Sequence, residues 1–339
     1  MRRRMKKGLG PRQGPPPPDR LAFIRPPTGS YTGTMKKHLP VLAVLGLFAL
    51  LVIFSGQAAE GARQGLAVCT ATLIPSLLPF FVLADLLSAL GLPDLLGDLF
   101  GGAMKRLFRL SSEGAQAFFL GLSGGYPLGA SLVADLRRRE RIDRPSAERL
   151  LAFCNNSGPA FIIGAAGGVF KSPKAGLLLY ASHVLAAVTV GVLFRGQGPA
   201  RDPEPPAAGA AAPPFGRALT AAVSKAIGST ATVCGYVVLF GALLGAAEPY
   251  LALPPLAHAL VCGFLELGTG VAAMAGQTPA PVPLALTALI IGWGGLSVHC
   301  QTMGVLAGTD IGCARHLAGR ALCGLFAAVY TFLGALALL

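Results

Sequence analysis

Phe153-Cys154-Asn155-Asn156-Ser157-Gly158-Pro159 stands in the middle of an apolar run that extends from residue 150 to residue 170. About 20 apolar residues cross the hydrocarbon core of a bilayer, so the run is long enough to span one. Its centre nevertheless carries two side-chain amides, a hydroxyl, a glycine and a proline. Lipid satisfies neither those side chains nor the backbone groups that such a break frees, so they must face protein or a water-filled cavity. Two readings meet that demand. One is a kinked span whose amides bond to neighbouring helices. The other is a broken helix that builds a transporter-type binding site near the middle of the membrane.

Three further apolar runs are interrupted in the same way. The run 113–136 breaks at Ser123-Gly124-Gly125-Tyr126-Pro127, and 262–276 carries Glu266-Leu267-Gly268-Thr269-Gly270. The run 284–307 carries Trp293-Gly294-Gly295-Leu296-Ser297-Val298-His299-Cys300-Gln301. The four interruptions fall as two pairs, one in each half of the chain, which is the sequence pattern of a repeat-built transporter site.

Hydrophobic residues make up 53% of the chain and charged ones only 13%, with a mean hydropathy of +0.62. A soluble domain carries about a quarter charged residues. The chain therefore reads as an all-α polytopic membrane protein of roughly 8–10 membrane segments. Candidate segments are 39–54, 66–90, 115–136, 150–170, 175–194, 230–247, 256–276, 284–307 and 316–339. The seven cysteines lie in or beside apolar runs, with no C-x-x-C pair and no histidine at zinc spacing. They read as small hydrophobes, and neither a disulfide nor a metal site is expected.

Of the net charge of +13, residues 1–34 supply +7, through eight Lys or Arg against Asp19. That tail is rich in Pro and Gly and reads as disordered, and Met35-Lys36-Lys37 ahead of the first apolar run looks like the natural start. The functional alternative for the tail is a basic arm on anionic lipid or nucleic acid. The first run also has signal-peptide character, but Gln57-Ala58-Ala59 is a poor cleavage site and an uncleaved helix is the better reading. The expected organisation is a tail over 1–34 and a transmembrane domain over 35–339. Its half-repeats, 66–194 and 217–339, are joined by a Pro/Ala/Gly-rich linker over 195–216.

Positive charge gathers in two loops. Residues 137–149 are net +3, and Arg195, Arg201 and Arg217 flank the linker. By the positive-inside rule both loops are cytoplasmic, as are Lys36 and Lys37. Lys105, Arg106 and Arg109 end a mixed stretch, 92–110, that reads as an interfacial amphipathic helix, and 218–227 with Lys225 reads as a second. With 92–110 at the interface, the run 115–136 has cytoplasmic charge at both ends, which a straight helix cannot have. A re-entrant hairpin with Gly124-Gly125-Tyr126-Pro127 at its tip can. A crossing by 92–110 is the alternative.

Several residues in the interruptions carry chemistry. Glu266 is an ionisable group inside an apolar run, a functional candidate by default, either for a coupling proton or cation or for hydrogen bonds from a solute. A glutamate at a helix end reaching the interface is the structural alternative. Asp85 and Asp310 lie at the ends of their runs and read as interfacial. Asn155, Asn156 and Ser157 offer neutral donors and acceptors beside Gly158, and half-helix N-termini at such breaks favour anions. Gly124 and Gly125 shape the hairpin tip, and Tyr126 there is suited to stack on an aromatic ring or to pack. Thr269, in the same Glu266–Gly270 string, is a candidate for binding the solute. Ser297, His299 and Gln301 point to different faces of a regular helix, but an extended tip around Gly294-Gly295 would bring them to one side. His299 is a candidate proton carrier, because imidazole titrates near neutrality; a buried structural histidine is the alternative. His183 and His258 read as structural.

These motifs, together with Pro75-Ser76-Leu77-Leu78-Pro79-Phe80-Phe81, resemble the YlbJ-type sporulation integral membrane proteins of the nucleoside-recognition (Gate) superfamily. The resemblance runs from about Met35 to the C-terminus, with the Asn-Asn-Ser-Gly-Pro string its most specific part. The superfamily is similar to concentrative nucleoside transporters, whose two repeats each pair a re-entrant hairpin with a broken helix. It implies a substrate site between two inverted halves. The sporulation branch is associated with spore cortex formation and with movement of dipicolinate from mother cell to forespore. The resemblance thus implies a multi-pass protein of the mother-cell-derived membrane around the forespore. Dipicolinate is a flat pyridine dicarboxylate that suits helix N-termini and uncharged amides better than Glu266, which leaves the acid for a coupling cation or for structure.

Two other classes compete. Gly121-Leu122-Ser123-Gly124 matches a rhomboid-type protease string, with His299 as base on a later run, but the Trp-Arg pair typical of rhomboids is missing. A soluble nucleophile elbow needs a strand-to-helix turn that an apolar hairpin does not supply. A non-transporting scaffold in spore-envelope assembly is the other. No Gly-rich loop ending in Gly-Lys-Ser or Gly-Lys-Thr argues for nucleotide hydrolysis. The expectation is a transporter rather than an enzyme, moving dipicolinate first and nucleoside-like compounds second. It has the bilayer and a small solute as partners, no nucleic acid, and no cofactor beyond a coupling H+ or Na+.

Overall fold

The structure, a computed structural model, describes residues 31–196 and 213–338. Most of the basic tail over 1–34 and of the linker over 195–216 falls outside the described residues. Within them the chain is all helix, and five helices are long and apolar enough to cross a membrane.

Helix α1 (Tyr31–Ile53) is apolar from Leu39 onward. Helix α2 (Ser55–Ala89) is a 35-residue span. It widens into a π turn over Cys69–Leu73, directly ahead of Pro75, which brings no N–H to the preceding turn. The Ser76 hydroxyl donates to the Thr72 carbonyl at 2.6 Å and takes up an acceptor there. Helix α3 (Leu92–Ala103) runs on as a π turn over Met104–Phe108, is not among the helices long and apolar enough to cross, and packs Phe100 on Phe119.

Helices α4 (Gly114–Gly124) and α5 (Leu128–Arg138) fold back on each other. At the turn Gly125 takes φ +84, a conformation that costs glycine nothing. At the open end Arg141 donates to the Glu113 carboxylate, so both ends of the hairpin lie on one side. This is the re-entrant hairpin that the charge pattern calls for. Helices α6 (Arg144–Cys154), capped by Asp143, and α7 (Ala160–Val169) form one broken span, and α8 (Pro173–Leu193) completes the first half.

The second half repeats this order. Helix α9 (Phe215–Tyr250) is continuous, so the separate amphipathic helix expected over 218–227 is its first turns. Ala218 and Ala222, one turn apart, are buried in a cluster with Leu86 of α2, which draws that stretch into the span. Helices α10 (Pro255–Leu265) and α11 (Leu267–Ala272) make a second hairpin, turning at an extended Glu266 with Gly263 against Gly270. Helices α12 (Pro281–Trp293) and α13 (Gly295–Leu306) form a second broken span, and α14 (Ala314–Leu338) follows.

Cross-chain bonds fix the sidedness. Arg137 forks onto Asp310 with two contacts of 2.9 Å, Arg138 donates to Val305 and Ala307 carbonyls, and Arg109 donates to Gly196. The Arg137 bond holds the Asp310 carboxyl below its ordinary range. The basic loops thus share one face, which the positive-inside rule makes cytoplasmic. The first hairpin enters from that face. The second enters from the other, where His258 approaches Glu248 at 3.4 Å. Each element of the second half therefore runs opposite to its counterpart, an inverted repeat.

Close backbone packing holds α2 to α9. Gly61 and Gly65 face Gly241 and Gly245, and a Cβ on Gly65 would lie 3.0 Å from the Val237 carbonyl. Small residues four apart let membrane helices approach in this way. Lys225 of α9 bonds Asp85 of α2 and Asp135 of α5, both at 2.8 Å, and ties this pair to the first hairpin. Leu83, Leu177, Leu185 and Leu336 are exposed, as side chains facing lipid are.

Candidate functional site

The four interruptions converge. The α4/α5 tip rests on the first break, where a Cβ on Gly158 would lie 3.1 Å from Gly125 N and Ser123 O. Tyr126 at that tip lies against Gly294 of the second break, and its hydroxyl donates to the Ile291 carbonyl at 3.1 Å. The α10/α11 tip meets the same break, with Glu266 and Leu267 against Gly295. Asn155 ties three elements: its Oδ1 accepts from Ala130 N–H at 3.3 Å, and its Nδ2 donates to Thr302 Oγ1 at 3.0 Å. Asn156 Nδ2 turns back to the Phe153 carbonyl at 2.7 Å, a donor for the end of α6. Ser157 N–H donates to His183 Nε2 at 3.3 Å.

Between these pieces and the α2/α9 pair lies a cleft. It encloses about 100 Å³, room for a small solute or several waters, since one water needs about 10–15 Å³. Gly124, Gly125, Tyr126, Ser157, Gly158, Glu266 and Gln301 line it on one side. The other wall is the face of α2 that carries Thr72, Ser76 and Phe80, with Val233 and Val237 of α9. The Pro75–Phe81 motif of the sequence is thus part of the cleft wall. A second cavity, lined by Gln57, Glu60, Glu248 and His258, lies towards the non-cytoplasmic face and shares Val68, Val237, Glu266 and Gly268 with the cleft. Glu266 stands at the junction of the two.

Glu266 is buried, and its Oε2 accepts from Thr269 N–H at 2.6 Å and Thr269 Oγ1 at 2.9 Å. That oxygen caps α11. Thr269 thus acts on Glu266 and lines the second cavity rather than the cleft.

The extended tip expected around Gly294-Gly295 is absent. Both glycines take positive φ, +90 and +83, but helix resumes at once as α13. Helical geometry then separates the three side chains. Gln301 reaches the cleft. His299 turns to the interior, with Nδ1 3.2 Å from His316 Nε2 and its ring edge-on to Trp293. Ser297 is fully buried without a hydrogen-bond partner among the described residues. Asn155 and Asn156 are likewise wholly buried and brace the break from behind.

His183, read as structural, supports the break through Ser157. One residue of the site was not singled out in the sequence. Arg320 of α14 is wholly buried and donates to Asn156 Oδ1 at 3.0 Å, to the Tyr126 hydroxyl and to the Gly292 carbonyl. Its signal was an arginine at the fifth position of the apolar run 316–339, beside Gly319.

Fold and cleft together define a multi-pass membrane protein whose two inverted halves meet around a buried, solute-sized site. Residues 70–194, from the π turn of α2 through α8, match the Gate family, described as nucleoside recognition. The chain is 30% identical over 334 residues to the sporulation integral membrane protein YlbJ of Bacillus subtilis (strain 168), across 86% of this chain and 82% of that protein. It belongs to that protein's family. No solved structure matches the chain.

Proposed function

We propose that this protein is a sporulation-associated transporter rather than an enzyme, and that it moves a small polar or anionic metabolite, dipicolinate, through the cleft. One observation carries the reading: both hairpin tips and both helix breaks, from opposite halves, meet at a single cleft. A flat pyridine ring fits the apolar wall of Phe80, Val233 and Val237. Its carboxylates find donors at Gln301 and at the start of α7, where Ala160 opens onto the cleft. Alternating access then exposes the cleft to each side in turn, with the cavity behind Glu266 as the path on the non-cytoplasmic side. Coupling to H+ or Na+ is assigned to the Glu266 junction. Its likeness to a sporulation integral membrane protein supports a location in the mother-cell-derived membrane around the forespore as part of this reading. Against a protease reading, the Ser123 hydroxyl donates to the Phe119 carbonyl and His299 pairs with His316.

The Gate match supports a nucleoside-like solute as the second reading. A thermal-shift panel on purified protein separates them. Dipicolinate is expected to raise the melting temperature in a saturable way, and uridine and adenosine to leave it unchanged. Stabilisation by the nucleosides alone would reverse that order, and tolerance of alanine at Asn155, Asn156 and Glu266 in sporulating cells would favour a scaffold.

A further inference from the structure

Arg320 is among the largest wholly buried side chains in the protein. It sits in a span, where a guanidinium is costly and marks function by default. Its bonds go to neutral groups: Asn156 Oδ1, the Tyr126 hydroxyl and the Gly292 carbonyl, with the Cys323 thiol also beside it. Its Nε has no partner among the described residues, and no carboxylate there forms an ion pair with it. Lys225, also on a span, contrasts with it, being paired to two carboxylates. The guanidinium carbon lies 5.3 Å from the centre of the Tyr126 ring, and Tyr126 lines the cleft while Asn156 adjoins Ser157, which also lines it. The charge therefore sits directly behind one residue of the cleft wall, Tyr126, and beside the sequence neighbour of another, Ser157.

Dipoles alone offset a buried charge incompletely. Low-dielectric surroundings let the remainder act across a side chain's width. A carboxylate in the cleft supplies the missing counter-charge, and a neutral solute does not. We infer that Arg320 is the specificity-determining residue that makes the cleft prefer dianionic over neutral solutes. It acts as a charge-setting group one layer behind the site, touching the first tip, the first break and α12. This inference rests on the transport reading and assigns the charge class of its solute.

The test is binding of dipicolinate and of its neutral isostere, pyridine-2,6-dicarboxamide, to the purified full chain near neutral pH, by calorimetry. Wild type is expected to prefer the dianion. Arg320→Met, which keeps bulk but not charge, is expected to weaken dipicolinate about tenfold or more and to leave the diamide within about twofold. Arg320→Lys keeps the preference at lower affinity, because a point charge lacks the planar fork. Asn156→Asp leaves the arginine in place but gives it a carboxylate where its 3.0 Å amide partner stood; dianion binding is expected to fall there too, which keeps the test alive if Arg320→Met does not fold. Equal loss of both ligands in Arg320→Met and unchanged preference in Asn156→Asp would reduce Arg320 to a packing role and overturn the inference. Wild type that prefers the diamide or uridine overturns it while transport stands. Wild type that binds none of these overturns both.

Discussion

Gly158→Val is expected to lower solute uptake by more than tenfold while the protein still inserts and keeps its helical content. A Cβ at residue 158 meets Gly125 N and Ser123 O at 3.1 Å and Gly124 C at 3.3 Å, all backbone atoms that cannot turn aside. Overpacking of this kind costs about 1–3 kcal/mol, and the first relief open to the chain is retreat of the hairpin tip from the break. That retreat opens the cleft wall where Gly124, Gly125 and Tyr126 stand. The control is Gly164→Val, on α7 just past the break: nothing lies within 4 Å of a Cβ there, so uptake should stay within about twofold of wild type. Uptake assays with circular dichroism on both variants check the pair. Loss in both, or in neither, would mean that the tip-to-break contact does not shape the site.

Asn156→Ala has the second large effect. The amide donates to Phe153 O at 2.7 Å and accepts from Arg320 at 3.0 Å, and it is wholly buried. Alanine leaves a carbonyl without its donor and a guanidinium with one acceptor fewer. Hydrogen bonds to charged groups contribute about 1.5–3 kcal/mol each. The expected result is a melting temperature lower by several degrees, together with loss of saturable uptake. Asn156→Ser, which restores a smaller acceptor, should recover part of both. A variant as stable and active as wild type would show that the break needs neither bond.

Much of this architecture was legible in the sequence where polar residues sit in places lipid does not tolerate. Asn155-Asn156-Ser157-Gly158-Pro159 within an apolar run admits no straight lipid-facing helix, and α6 and α7 part there. The first hairpin followed from charge at both ends of the 115–136 run. The second half was harder. Glu266-Leu267-Gly268-Thr269-Gly270 and Trp293-Gly294-Gly295 are both glycine-rich, and only packing decides that the first folds back, Gly263 on Gly270, while the second continues as a broken span. The fate of Ser297, His299 and Gln301 turned on how quickly helix resumes after Gly295, which local residue types leave open. Lys225 gave 218–227 an amphipathic look because Asp85 and Asp135, its partners on α2 and α5, are distant in sequence. Arg320 stands inside an apolar run, which marks it, but it follows Arg315 and His316 closely enough to pass for an interfacial charge, and its place beside Tyr126 and Asn156 comes from tertiary packing.

The most direct test of the cleft as a transport site is uptake of labelled dipicolinate into proteoliposomes under imposed proton and sodium gradients. The account predicts saturable uptake by wild type, driven by one of the two gradients and lost in Asn156→Ala. Well-folded wild-type protein that passes no dipicolinate and no nucleoside under either gradient would contradict it.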